Sequence, residues 1–309
     1  VYPLKFEPIY FEKIWGGKHL LRLKNNIPKG TIGESWEVSC HKNGISVVAN
    51  GMFKGITLKE VIEKERKHIF GDYKGDDFPL LLKFISTGGK LSVQVHPDDI
   101  YGQKIEGDNG KTEAWYVLHA ESGASLVLGT RDCTKEEFKN AIKNGTLDKY
   151  LTIVPVKNGD VFLVNSGLIH AIGEGILLLE VQQSSDITYR VYDYNRGREL
   201  NLEKALEVAN LKLKSHRLEG EVYADSDYKI IKYVKCPYFS LDLYEVYSRI
   251  EDSTEGKNFF LYSCIEGEGK IEYSEGEESI IKGESILIPS SLGHFNIVGQ
   301  LKLIKIYVL

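Results

Sequence analysis

The sequence predicts a mainly β protein, built as a barrel or sandwich with a few helices, on three observations. Strand-length apolar runs recur at short spacing, Gly, Asn and Asp clusters separate them, and one strand–turn–histidine unit occurs twice. The runs at 78–86, 89–96, 112–119, 125–129, 160–164 and 176–182 read as strands. Helical patterns lie outside them. Residues 57–70 begin with Thr57 and carry Glu60 three positions on, a capping-box pattern that Thr134 and Glu137 repeat at the head of 134–144. A third helix is expected over 201–210. The polar stretch 215–228 is expected to link two domains, 1–214 and 215–309, the second strand-rich from 230 onward and without a helix.

The repeated unit sets the domain architecture. Gly159 is followed by five residues, then Asn165, Ser166, Gly167, two residues and His170; Gly283 is followed by five residues, then Pro289, Ser290, Ser291, two residues and His294. Both describe a strand, a tight turn and a His opening the next strand. The unit resembles the second cupin motif, with Asn165 in place of the usual Pro and Ser291 in place of the usual Gly. Two such units imply a bicupin: two jelly-roll-like β-barrels, with helices decorating the N-terminal half.

Composition narrows the partners. A chain of 309 residues fits two domains. The net charge of −5 argues against a broad nucleic-acid surface, yet leaves room for a small anion held by a few local cations. No window approaches the roughly 18 apolar residues of a membrane helix. The N-terminus lacks the order of a signal peptide. The four cysteines are scattered without a CxxC pair, as expected for reduced thiols in the cytoplasm. A monomer or small homo-oligomer is expected.

One constellation carries chemistry. In LSVQVHPDD (91–99), alternation puts Ser92, Gln94 and His96 on one face and Leu91, Val93 and Val95 on the other. A polar triple inside a barrel needs partners, because burying it unpaired is costly. In KTEAW (111–115), Lys111, Glu113 and Trp115 share a face, and the repeat supplies His170. Gln94, His96, Glu113 and His170 together offer two imidazoles, a carboxylate and an amide oxygen, a set that suits Zn²⁺, with Mn²⁺, Fe²⁺ or Co²⁺ as alternatives. A lone interior His is more often a hydrogen-bonded core residue; the combination is what argues for a metal. The second half shows no HxH-type pair near 259–268, so His294 reads as a turn or core histidine.

The chain resembles the type I mannose-6-phosphate isomerases of the short bacterial kind. The resemblance runs through IWGG (14–17), GESWEVS (33–39), FPLLLKFI (78–85), LSVQVHPDD, KTEAWYVL (111–118), GLIHAIGEGI (167–176) and LLEVQQSSDITYRVYDYNR (178–196). It implies one zinc ion per chain on Gln94, His96, Glu113 and His170, and active-site roles for Lys83, Ser92, Lys111, Glu180, Asp186 and Arg190. Trp15 is a candidate wall for a sugar-sized pocket, as is Trp115. Gly110 stands where many longer relatives carry a His, and Ile172 where they carry a Tyr.

The implied reaction interconverts mannose 6-phosphate and fructose 6-phosphate through an enediol(ate). Lys111 is the candidate base, since burial beside a cation favours a neutral amine. Arg190, which rarely deprotonates, suits stabilisation of the enediolate. Lys83, Ser92, Lys111 and Arg190 could hold phosphate, and Glu180 or Asp186 could assist ring opening. Charges at Lys83 and Glu180 interrupt apolar runs, which is expensive unless they pair. Two other readings remain open on the residues alone: an Fe²⁺ dioxygenase, disfavoured by the cations around the metal, and a non-catalytic sugar-binding bicupin, disfavoured by the full ligand set.

Overall fold

The computed structural model describes residues 1–308, which form three antiparallel sheets. A six-stranded sheet runs in the order Val161–Val164, Glu113–Ala120, Ile176–Gln183, Leu80–Ser86, Ile32–Ser39, Ile9–Glu12. A five-stranded sheet runs Tyr189–Tyr192, Val93–Val95, His170–Ile172, Ser125–Thr130, Leu151–Pro155. Their facing surfaces share one core, with Ile85, Trp115, Val117, Phe162 and Leu178 from the first and Leu126, Leu128 and Ile172 from the second. This interdigitation of two inner faces is the packing of a sandwich.

The outer face of each sheet is covered differently. Val93, Val95, Ile169 and Val191 of the five-stranded sheet and its flank pack with Phe138 and Ala205, which belong to the helices Lys135–Lys143 and Leu202–Val208. Leu80, Leu82, Phe84, Leu179 and Val181 of the six-stranded sheet pack with Leu241, Leu261, Ile304 and Ile306 of the third sheet. That third sheet has ten strands, dominated by the 14-residue strands Phe260–Tyr273 and His294–Tyr307, which pair along their length. The start of the chain joins it: Leu4–Glu7 pairs with Ser285–Ile288 and with Val47–Val48.

The expected pair of jelly-roll-like barrels is corrected here. Among the described residues no sheet closes on itself: the six-stranded sheet ends at Val161–Val164 and Ile9–Glu12, and the five-stranded sheet at Tyr189–Tyr192 and Leu151–Pro155. Closure needs the two terminal strands to hydrogen-bond to each other. Alternation in a sequence tells which face a side chain occupies, but not whether the end strands meet. The cupin-like sheets are present as open, facing layers.

The helices follow their caps. Thr57 and Thr134 each accept the amide of the residue three positions on, and Glu60 and Glu137 return the bond, capping Leu58–Phe70 and Lys135–Lys143. Leu202–Val208 is the third expected helix, shorter than 201–210. A fourth, Asp99–Glu106, was not expected from the pattern; the Asp98 carboxylate caps it by accepting the Tyr101 amide at 2.9 Å. The strand expected over 89–96 contracts to Val93–Val95, because the Gly88 and Gly89 amides both turn back to the Trp15 carbonyl. The expected linker contains an exposed strand, Glu221–Ala224. Among the described residues no helix is long and apolar enough to cross a membrane.

Candidate metal centre and active site

Strand register assembles the site from both facing sheets. In the five-stranded sheet Gln94 lies between His170 on one neighbour and Arg190 on the other. In the six-stranded sheet Glu180 lies between Lys83 and Trp115, and Lys83 is opposite Trp36. One row is thus Arg190, Gln94, His170; the other is Trp36, Lys83, Glu180, Trp115. Glu113 opens the strand beside them, and the Lys111 amide bonds the Pro97 carbonyl at 3.0 Å, fastening it next to His96.

His96, Glu113 and His170 are each 1% exposed and offer ligand atoms within 4.8 Å of one another. His96 Nδ1 donates to the Ile187 carbonyl at 2.7 Å, and His170 Nδ1 to the Leu168 carbonyl at 2.9 Å. A carbonyl can only accept, so both Nε2 atoms keep their lone pairs, as in rings held for a metal by an outer partner. His96 Nε2 is 3.5 Å from Glu113 Oε2, His170 Nε2 is 3.4 Å from Glu113 Oε1, and the Gln94 amide is 3.3 Å from His170 Nε2. These spacings match the edge of a tetrahedron with bonds of about 2.0–2.1 Å. Half a turn of the Gln94 amide presents its oxygen there.

The electrostatics ask for a cation. His96 Nε2 and both Glu113 oxygens are buried without a hydrogen-bond partner, an expensive arrangement in a folded chain. Burial, helped by Lys111 and His170, holds His96 well below the ordinary histidine range, and burial takes His170 down to about 4. Burial first and the Glu180 carboxylate second push Glu113 up to about 8, with Lys111 and Lys83 pulling it back. Neutral imidazoles around a carboxylate whose Lys111 neighbour stands off at 3.5 Å are a fit for a divalent ion. This cluster is a zinc site.

Above it opens a cavity of about 310 Å³, on which Trp15, Lys83, Ser92, Gln94, Lys111, Trp115, Ile172, Glu180, Asp186 and Arg190 all converge. Every residue expected at the site is therefore brought to one place, with the three buried ligands beneath Gln94 and Lys111. Lys83 and Glu180 are fully buried and form an ion pair at 2.8 Å. Burial alone would lower the Lys83 amine, but Glu180 and Glu34 outweigh it and hold it above the ordinary lysine range. The Trp115 indole donates to the other Glu180 oxygen at 2.7 Å. Arg190 donates from Nε to the Ser92 hydroxyl at 3.3 Å and from its guanidinium to the Glu199 carbonyl at 2.8 Å, without a carboxylate partner. Asp186 sits at the exposed rim and accepts from Asn43 at 2.8 Å.

Two sequence features become legible. The Gly pair of IWGG lies against backbone: a Cβ on Gly16 would come 2.2 Å from the Thr31 carbonyl oxygen, and one on Gly17 would meet the Gly88 amide at 2.6 Å. That close approach pins Trp15 and Lys13 at the cavity wall. Gly110, the departure from longer relatives, packs against the head of the Asp99–Glu106 helix, where a Cβ would come 2.4 Å from the Asp98 backbone; a His does not fit. Ile172, the other departure, forms apolar wall.

The sequence reasoning missed Lys13, Glu34, Thr188 and Arg198, which also line the cavity. Glu34 was findable. It interrupts a buried strand as Lys83 and Glu180 do, accepts the Trp36 indole at 2.8 Å and pairs with Lys13 at 3.2 Å. Burial would raise its carboxyl, yet Lys83 and Lys13 hold it down to about 2. Arg198 reaches the rim by pairing with Asp193, and no local signal marks it. His294 is neither core nor tight turn: it is 79% exposed, opens the strand His294–Tyr307 and pairs with Glu251 at 3.0 Å.

Two family models match the chain. One describes the catalytic domain of phosphomannose isomerase type I and matches residues 4–112; the other describes a mannose-6-phosphate isomerase cupin domain and matches residues 229–308. A mannose-6-phosphate isomerase of Bacillus subtilis (strain 168) is 42% identical over 304 residues, covering 96% of each chain. One from Streptococcus mutans is 37% identical over 309 residues, covering 98% of this chain and 97% of the relative. Among solved structures, the mannose 6-phosphate isomerase from Bacillus subtilis superposes with a TM-score of 0.95 at 35% identity over the whole of both chains. A phosphomannose isomerase variant from Salmonella typhimurium superposes at 0.82 with 15% identity over the whole of both chains, a likeness of fold alone.

Proposed function

Since the chain belongs to the type I mannose-6-phosphate isomerase family, we propose that it interconverts mannose 6-phosphate and fructose 6-phosphate by moving a proton between C2 and C1. The observation that carries this reading is the zinc site with orphaned ligand atoms next to Gln94 and Lys111, which line a cation-rich, sugar-sized cavity. A divalent ion bound there would polarise the sugar carbonyl and lower the cost of negative charge on its oxygens.

In this reading Gln94 completes the ligand set of His96, Glu113 and His170. Lys111, whose amine is 3.5 Å from Glu113 and lines the cavity, takes the C2 proton; its electron pair forms the C1–C2 double bond of the enediolate, and the proton returns at C1. Arg190, the guanidinium with no carboxylate partner, is free for the developing charge and, with Ser92, for phosphate. Lys83 reaches substrate only while matched by Glu180, so the pair serves as a fixed polar wall, and Glu180 or Asp186 is the ring-opening group. Trp15 forms the apolar wall opposite. The catalytic part is then 1–214, which contains every cavity-lining residue, and 215–309 is the second, ligand-poor part. The four unpaired cysteines of the whole chain, Cys40, Cys133, Cys236 and Cys264, support a cytoplasmic setting.

A coupled assay of mannose 6-phosphate conversion in D₂O tests the reading. Turnover with solvent deuterium at the transferred position is expected; zinc-loaded protein that binds the sugar phosphate without converting it would move the protein to the sugar-binding reading. Lys111→Ala is expected to lose about 10²–10⁴-fold in kcat while keeping its zinc. Near-normal turnover in that variant would remove Lys111 from the chemistry.

A further inference from the structure

A second group of ligating side chains lies at the far end of the strand that carries Glu113. His19, His119 and Glu121 offer ligand atoms within 4.8 Å of one another. His19 Nε2 and Glu121 Oε1 are 3.4 Å apart, the same separation as His170 and Glu113 in the buried site. The His19 and His119 rings lie 5.2 Å apart between centroids, tilted by 43°. His119 Nε2 is buried with no hydrogen-bond partner.

The backbone prepares this arrangement. Strict alternation would send His119 inward with Glu113, Trp115 and Val117. The register against Ile176–Gln183 slips between Leu177 and Leu178, leaving one extra residue at Leu118. Beyond the slip Ala120, not His119, packs with the Trp115 core, while Leu118 packs on the opposite face. A bulge of this kind re-aims a side chain. Glu121 is fixed on both sides, its amide donating to the Gly175 carbonyl at 2.9 Å and its carbonyl accepting from Ala124 at 3.0 Å. The His19 amide donates to the Ser86 hydroxyl at 3.1 Å.

We propose that His19, His119 and Glu121 form a second transition-metal site of the Zn²⁺ or Co²⁺ class, with water completing the coordination on the exposed Glu121 side. The ion ties the segment behind Trp15 to the end of the Glu113 strand, and so braces one wall of the catalytic cavity from outside. It binds more weakly than the buried ion for two reasons. Only three protein ligands are offered, and Arg22, with Lys282 and Lys302 across the neighbouring cavity, repels a cation.

The test is a calorimetric titration with Co²⁺ of protein already carrying one equivalent of Zn²⁺, on wild type, His119→Ala and Glu121→Gln. Wild type is expected to take a second equivalent, and each substitution to weaken it at least tenfold with the first equivalent retained. Glu121→Gln alters only an exposed carboxylate, so loss of the fold does not confound it. A wild type that takes no second equivalent, or a second equivalent that survives either substitution, would overturn the proposal.

Discussion

Each half of the molecule buries a polar cluster in its sheets, and the two are completed in opposite ways. In the first half His96 Nε2 and both Glu113 oxygens have no hydrogen-bond partner among the described residues, and Lys111 stands off at 3.5 Å from Glu113. In the second, Lys305 sits 2.6 Å from Asp252, which also accepts from the Tyr244 and Tyr262 hydroxyls. The Lys305 ammonium lies 3.8 Å from the centre of the Phe260 ring, a cation–π contact. The repeated histidine follows the same division: His170 is buried at the ligand cluster and His294 is out in solvent. In one cluster a lysine meets the carboxylate at hydrogen-bond distance; in the other the lysine stands off, and the orphaned ligand atoms leave a place for a cation from solution. A buried charge is tolerated when matched, whatever the source of the match.

The largest effect is expected from Glu113→Gln. Isomerase activity should fall by at least about 10³-fold with the loss of zinc affinity. The same change should raise the unfolding temperature of the zinc-free protein, because a buried carboxylate with no hydrogen bond and only a 3.5 Å approach to Lys111 is replaced by a neutral amide. A zinc-free variant less stable than zinc-free wild type would mean that Lys111 matches Glu113 fully without a metal, and the contrast between the halves would fail.

Lys305→Met should act the other way round. Removing the lysine leaves the largely buried Asp252 with two tyrosine hydroxyls and no cation, so unfolding free energy should drop by about 2–3 kcal/mol, while kcat per folded molecule stays within about twofold. Urea titrations with and without chelator would show this loss to be independent of zinc. A loss that appears only in zinc-loaded protein would join the two clusters energetically.

A smaller effect concerns acid. Glu34 is held down to about 2 in the fold, with Lys83 and Lys13 overcoming its burial. A depressed carboxyl contributes stability that is complete above its unfolded value of about 4.3 and fades as pH falls through the folded value. Glu34→Gln should therefore flatten the acid limb of stability between about pH 4 and pH 2. An unchanged limb would mean that other carboxylates set it.

How much of this was legible depended on the range of the signal. Capping boxes at Thr57 and Thr134 are local, and both helices begin where the spacing puts them. Alternation in 91–99 and 111–115 places Gln94, His96, Lys111 and Glu113 on inner faces; the cavity collects Gln94 and Lys111, and His96 and Glu113 join the ligand cluster. Leu91 breaks that alternation by packing inward with Trp15 and Trp115, because its backbone bonds Ile172 rather than continuing the strand. What stayed hidden was non-local. Whether terminal strands pair is decided by partners far along the chain, which is why open sheets replace the expected barrels. The bulge that turns His119 outward exists only against Leu177 and Leu178, and the lysine that completes the second cluster lies 53 residues from its aspartate. Glu34 was overlooked although the rule that found Lys83 applies to it unchanged.

The most direct test of the central claim, that the first cluster requires a cation the chain does not supply, is to follow zinc content and mannose-6-phosphate isomerase activity in one sample through chelation and zinc add-back. Activity is expected to fall in step with zinc and to return with it. Full activity in zinc-free protein would contradict the account.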